Sequence, residues 1–201
     1  MAESSFHYKS DLMGGTLLVR ESRIIAGLLL KKINDEKWKQ AIEVDNVLQR
    51  KTISTAKRFG NAVKSRLELL EPEFWKALRD GDEQVATQVA FCGALERNLL
   101  LVEFIEIVVK DAYITHMEKL ETYHWSDFVY ERGNRDGALL DWKESTINRM
   151  GRTVFSMLAE VGYLNNTRNK KLQNVLIRPE VKALLKNNAK QRLLACVDIK
   201  S

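Results

Sequence analysis

Three glutamates, Glu96, Glu103 and Glu106, can share one face of a helix. Clustered carboxylates can hold metals or move protons. A helical carboxylate metal site, however, also needs histidines or acids from other helices. The three histidines, His7, His116 and His124, form no Glu-x-x-His or His-x-x-x-His spacing. The glutamate face is therefore read as solvated or salt-bridged. Cys92 and Cys196 belong to no CxxC pair and have no histidine at ligand spacing. They read as reduced core thiols, not as a disulfide framework or a zinc site. Gly14-Gly15 does not cradle phosphate, because no GxGxxG or GxxxxGK run follows a strand. No Gly-x-Ser-x-Gly elbow occurs, and no aromatic-rich RNP-type strand. No nucleophile, base and orienting group can be assembled. The chain is read as non-enzymatic, with no metal, no cofactor and no small-molecule substrate.

What remains is cationic chemistry, unevenly spread. The 201 residues carry a net charge of +5. Between Ser145 and Arg192 stand ten cations: Arg149, Arg152, Arg168, Lys170, Lys171, Arg178, Lys182, Lys186, Lys190 and Arg192. The only acids there are Glu160 and Glu180, so this stretch carries +8 and the remainder −3. Such segregation suits binding to phosphates by counterion release. A second basic run has no acid at all: Arg50, Lys51, Lys57, Arg58, Lys64 and Arg66. It reads either as a solvated face or as a surface for phosphates or an acidic partner.

The elements that must position these groups are mostly helices, since only Pro72 and Pro179 interrupt the chain. Ile24, Ile25, Leu28 and Leu29 mark a first helix over about 21–32, and Asn34-Asp35 can cap a second. Thr52 or Ser54 can cap a third, whose buried stripe is Ile53, Ala56, Gly60, Val63, Leu67 and Leu70. Lys57, Arg58, Asn61, Lys64 and Arg66 fall on its other faces. A short helix starting at Pro72 ends near Gly81. Asp82 then caps a long, buried central helix reaching about Tyr113. Its apolar run could span a bilayer, but Glu96, Arg97, Glu103, Glu106 and Lys110 interrupt it. With no signal peptide at the N-terminus, the expected location is the cytoplasm. Tyr123, Trp125, Phe128 and Tyr130 are packing anchors in a loop and short helix. A domain boundary is placed at the turn-rich 132–137 connector, giving a helical region 1–138 and a basic region 139–201.

In that second region Ser145 and Thr146 precede a stripe of Ile147, Met150, Val154, Met157, Leu158 and Val161, and Gly162 stops the helix. Tyr163-Leu164, a polar basic turn over 165–171, a strand over 172–177 and a helix from Pro179 follow. Lys190 and Arg192 lie in a tail. This is the outline of a winged-helix-like unit with a small β-hairpin, in which one helix enters a major groove and the hairpin tip meets the backbone. The overall expectation is mainly α: an N-terminal helical bundle, then the winged-helix-like unit. The expected DNA-binding residues are Arg149, Arg152, Arg168, Lys170, Lys171, Arg178, Lys57, Arg58, Asn61 and Lys64. Asn165, Asn166 and Asn169 add neutral donors at the turn.

The N-terminal third resembles the BrxA family of the BREX bacteriophage-exclusion systems. The similar residues are Tyr8-Lys9-Ser10, the run from Leu18 to Ala26, Trp38, the run from Asn46 to Thr52, Thr55-Ala56-Lys57-Arg58, and Arg66-Leu67. The resemblance implies a host-defence role beside a methyltransferase, a phosphatase-like protein and an ATPase. It also implies a likeness to the helical, RNA-binding NusB proteins and a membrane location, the latter opposed by the charges noted above. The expected function is a DNA-binding accessory protein of phage defence, with double-stranded DNA and other BREX components as partners. The alternatives are an RNA-binding NusB-like regulator and a protein scaffold.

Overall fold

A computed structural model describes residues 8–199, leaving His7 outside. It is mainly helical, and among the described residues the only β-pairing is two isolated antiparallel bridges. The described residues form two compact units that are interleaved in sequence. The first holds residues 8–13, Asn98–Val175 and residue 199; the second holds Gly14–Arg97 and Leu176–Asp198. Position 138/139 lies inside the first unit.

The second unit is built from helices α1 (Val19–Leu30), α2 (Asp35–Lys39), α3 (Ile53–Leu67), α4 (Pro72–Asp80) and α5 (Glu83–Arg97). A π-helical turn, Gln40–Val44, extends α2. The caps read from sequence form here. Asn34 accepts a hydrogen bond from Lys37 N, Thr52 from Thr55 N, and Asp82 from Val85 N. Pro72 occupies the first turn of α4, where no N–H is missed. The α3 stripe packs as expected from Ala56 to Leu67, whereas Ile53 stays exposed. Arg66 departs from the expected outer face. It is buried, and its guanidinium donates to the carbonyls of Thr16 and Gly15 at 2.6 and 2.9 Å.

The long central helix is not continuous. Helix α5 ends at Arg97, and Asn98, with φ −131 and ψ 102, starts a new helix. The Asn98 side-chain oxygen accepts from Leu101 N, while its amide donates to the Asp11 carboxylate and the Lys9 carbonyl. A residue that caps as well as Asn does can break a helix where its side chain has all its partners. The apolar segment on both sides of the break is buried, as its composition requires. Cys92 and Cys196 are buried and form no disulfide, and burial pushes the Cys92 thiol up to about 12. The expected tail is also a helix. After α10 (Pro179–Asn187), helix α11 (Gln191–Val197) buries Leu193, Cys196 and Val197. Lys190, at its start, is held between Glu71 and Glu96.

The first unit contains α6 (Leu99–Phe104), α7 (Lys110–Ile114), α8 (Thr122–Arg132) and α9 (Glu144–Val161). A π-helical turn, Ile105–Val109, joins α6 to α7. Segment 117–139, expected as loop and short helix, contains the three-turn α8. Its Trp125 and Phe128 are buried, but Tyr123 and Tyr130 are half exposed and do not anchor the core. Helix α9 begins at Glu144, so Ser145 and Thr146 lie in its first turn. Gly162 closes it at φ 101, a conformation only glycine adopts freely. The expected strand over 172–177 does not form. Only Leu172 pairs with Leu164, and Lys171 with Lys119, so no ladder extends beyond single pairs. The first unit ends at Val175, and Leu176 already belongs to the second, where its carbonyl accepts from Gln88.

Candidate nucleic-acid interface

Helix α9 is fixed to the first unit from beneath. Ile147, Met150, Gly151, Val154, Phe155, Met157, Leu158 and Val161 are its buried face. Phe104 meets Trp125, Phe128 and Phe155 edge-on, with ring centroids 5.1, 5.4 and 6.3 Å away. The buried Trp125 indole N–H donates to the Ile147 carbonyl at 2.9 Å. Gly151 lets α9 and α8 approach closely, since a Cβ there would lie 2.6 Å from Trp125 Cδ1. With one face held this way, Ser145, Arg149 and Arg152 are left exposed on the other.

The basic turn is held as firmly, by its own asparagines. Asn165 N donates to the Lys171 carbonyl and Gln173 N to the Tyr163 carbonyl, both at 2.9 Å. The Asn166 side-chain oxygen accepts from Arg168 N and Asn169 N, and that of Asn165 from Lys171 N. Expected as neutral donors to a ligand, Asn165 and Asn166 spend their side-chain oxygens on the turn itself. From the other side Leu120 N donates to the Lys170 carbonyl and Leu172 N to the Glu118 carbonyl, each at 3.0 Å. Below, the Tyr113 hydroxyl donates to the Gln173 carbonyl, and burial pushes that hydroxyl up to about 12.

The structure thus divides the ten expected residues. Arg149, Arg152, Arg168, Lys170 and Lys171 belong to the first unit; Lys57, Arg58, Asn61, Lys64 and Arg178 belong to the second. Their charges are not equally free. Arg149, Arg152 and Arg168 are exposed and have no carboxylate partner among the described residues. Lys171 pairs with Glu118 at 2.7 Å, which holds that carboxyl below its ordinary range. Arg178 pairs with Asp82 and Glu180, Lys57 with Glu43, and Lys64 with Glu68. Lys64 also lies over the Trp38 ring, and Arg58 over Phe59.

Two of the three glutamates, Glu96 and Glu103, are held in ion pairs. Glu96 in the second unit pairs with Lys190. Glu103 in the first is buried, accepts the Tyr8 hydroxyl at 2.7 Å, and faces Arg135 and Arg132 at 3.0 and 3.6 Å. His124 Nδ1 accepts from Glu121 N, capping α8. No group of three or more metal-ligating side chains occurs among the described residues. No described helix is long and apolar enough to cross a membrane.

Beside α9 the turn and the start of α8 enclose a groove of about 290 Å³, lined by Thr122, Arg152, Phe155, Ser156, Thr167 and Lys170. Arg152 and Lys170 are expected site residues; the two threonines are not. Thr167 sits in the basic turn and was legible there, whereas nothing in the sequence joins Thr122 to residues 30 to 48 positions away.

The BrxA family pattern matches residues 6–189. The chain belongs to the BrxA family. It is 39% identical over 192 residues to the BREX protein BrxA of Paramagnetospirillum magneticum, with 96% of each chain covered. It is 33% identical over 188 residues to the BREX protein BrxA of Escherichia coli O9:H4, covering 94% of this chain and 88% of that one. Its fold is similar to that of an uncharacterized protein from Magnetospirillum magneticum, solved by crystallography, with a TM-score of 0.89 and 38% identity. That likeness covers 96% of this chain and 99% of the other. The BrxA family is the one that the residues of the N-terminal third resemble.

Proposed function

We propose that this BrxA-family protein is a non-enzymatic, duplex-DNA-binding accessory protein of the BREX phage-defence system, acting in the cytoplasm with other BREX components. The observation that carries this reading is that Arg149, Arg152 and Arg168 have no carboxylate partner among the described residues and stand on a packed helix and a hydrogen-bonded turn of one unit. Exposed arginines without carboxylates keep their full attraction for phosphate, and a fixed scaffold lowers the ordering cost of binding. The winged-helix-like arrangement belongs to this reading by the order of elements alone, since among the described residues isolated bridges stand where its ladder would be. A short pairing segment near Lys119, α8, α9 and a bridged turn follow one another, with the segment near Lys119 pairing to the far side of the turn. The module proposed for binding is therefore Asn98–Val175, in place of 139–201. The second unit's Lys57, Arg58, Asn61 and Lys64 form a separate basic face, proposed as an auxiliary contact. Its lysines are partly compensated, so its contribution is the smaller one.

Fluorescence anisotropy at low salt tests the reading, with duplex DNA, structured RNA and single strands as competitors. Duplex is expected to compete best. Preferential competition by structured RNA would favour the NusB-like alternative. Undetectable binding to every nucleic acid would favour the scaffold.

A further inference from the structure

We infer that the groove beside α9 seats one backbone phosphate of the bound duplex, gripped by Arg152 and Lys170 and by the hydroxyls of Thr122 and Thr167. This inference rests on the duplex-binding reading above and names where one strand would be held. The groove, at about 290 Å³, has room for a phosphodiester. Two of its six lining residues are cations and none is an acid. Phe155, buried beneath them, provides an apolar floor, and a charged hydrogen bond is stronger where water is thin.

Lys170 is prepared for an anion. Its backbone is tied at both polar atoms, N–H to the Asn166 carbonyl at 3.1 Å and carbonyl to Leu120 N at 3.0 Å. Its ammonium lies 5.8 Å from the Phe155 ring centroid and spends one donor on the Arg168 carbonyl at 3.4 Å. An ammonium has three donors, so two remain. The pinned backbone removes much of the freedom that an anion would otherwise have to freeze. The Thr122 and Thr167 hydroxyls make no hydrogen bond among the described residues, so both can donate. Ser156 is different, because its hydroxyl already donates to the Arg152 carbonyl at 2.9 Å. The carboxylate next in sequence, Glu121, pairs with Lys119 at 2.7 Å; the positive charge of Lys170 also acts on it, without a salt bridge between the two. Charged and neutral donors converge here without a competing carboxylate in the lining, which matches phosphate oxygens better than the mixed donor and acceptor edge of a base.

The test is a salt titration of duplex binding by the full chain, in parent, T122V/T167V, T122S/T167S and K170A forms, with helix content checked by circular dichroism. Removing two neutral donors is expected to weaken binding roughly tenfold at every salt concentration, leaving the salt slope unchanged. The serine pair, which keeps both hydroxyls, is expected to restore binding. K170A is expected to lower the slope by about 0.9, the release due to one phosphate. If the folded valine variant binds as the parent does, or the serine variant binds as weakly as the valine one, the seat is wrong while duplex binding stands. If the parent binds no duplex at low salt, the underlying reading itself falls.

Discussion

Replacing Arg168, Lys170 and Lys171 together by alanine removes three positive charges from the turn, but not three equal ones. Lys171 already faces Glu118 at 2.7 Å, so much of its charge is neutralised before DNA arrives. Arg168 and Lys170 form no salt bridge with a carboxylate among the described residues. With about 0.9 in slope per neutralised phosphate, the loss is about 1.8 rather than the 2.7 of three free cations. Over a fourfold rise in salt, the parent then loses about 12-fold more affinity than the variant. The turn itself is expected to survive, because Asn165 and Asn166 hold it and the cations do not. The companion variant E118Q releases Lys171 and is expected to steepen the parent slope by up to about 0.9. Anisotropy on a single duplex between 50 and 200 mM salt, roughly the range over which such contacts are read out, gives both slopes. Coincident slopes for the triple variant and the parent, with helix content intact, would refute the turn as a phosphate contact. An E118Q slope equal to the parent's would refute the compensation.

Two further outcomes follow from the packing. Gly151→Ala should destabilise the protein, by up to about 2 kcal/mol, in urea unfolding. A Cβ 2.6 Å from Trp125 Cδ1 costs about 1–3 kcal/mol of overpacking, set against about 1 kcal/mol of helix propensity gained. A stabilised variant would refute the close α8–α9 approach. Stability should also fall as pH rises from about 10 towards 12. Burial and the Glu103 carboxylate push Tyr8 from 10.0 up to about 12, so the unfolded chain loses this proton first and alkali favours unfolding. Tyr113, raised to about 12 by burial, acts in the same direction. Urea midpoints at pH 8 and 11 measure the drop, which should be smaller in Tyr8→Phe; an equal drop in that variant would remove Tyr8 from the account.

Local sequence rules were enough for α1, α2, α3, α4, α9 and α10 and for several of their ends, but not for α8, for α11 or for the break at Asn98. Short-range rules suffice where a cap and its partner lie three residues apart, as with Asn34, Thr52 and Asp82, or where Gly162 must turn left-handed. The sequence also determined that charge is segregated, because net charge needs no coordinates. Tertiary structure decided which charges remain free. Glu118 reaches Lys171 across 53 residues, and Asp82 reaches Arg178 across 96, distances over which local periodicity carries no information. It also decided where the apolar run breaks. Asn98 ends α5 because its side chain finds the Lys9 carbonyl and the Asp11 carboxylate, some 90 residues earlier in the chain. The same long-range pairing explains the missing strand. A strand exists only if its neighbour runs beside it, and from Leu176 the chain belongs to the second unit, where that carbonyl accepts from Gln88, leaving a bridge where periodicity had predicted a ladder.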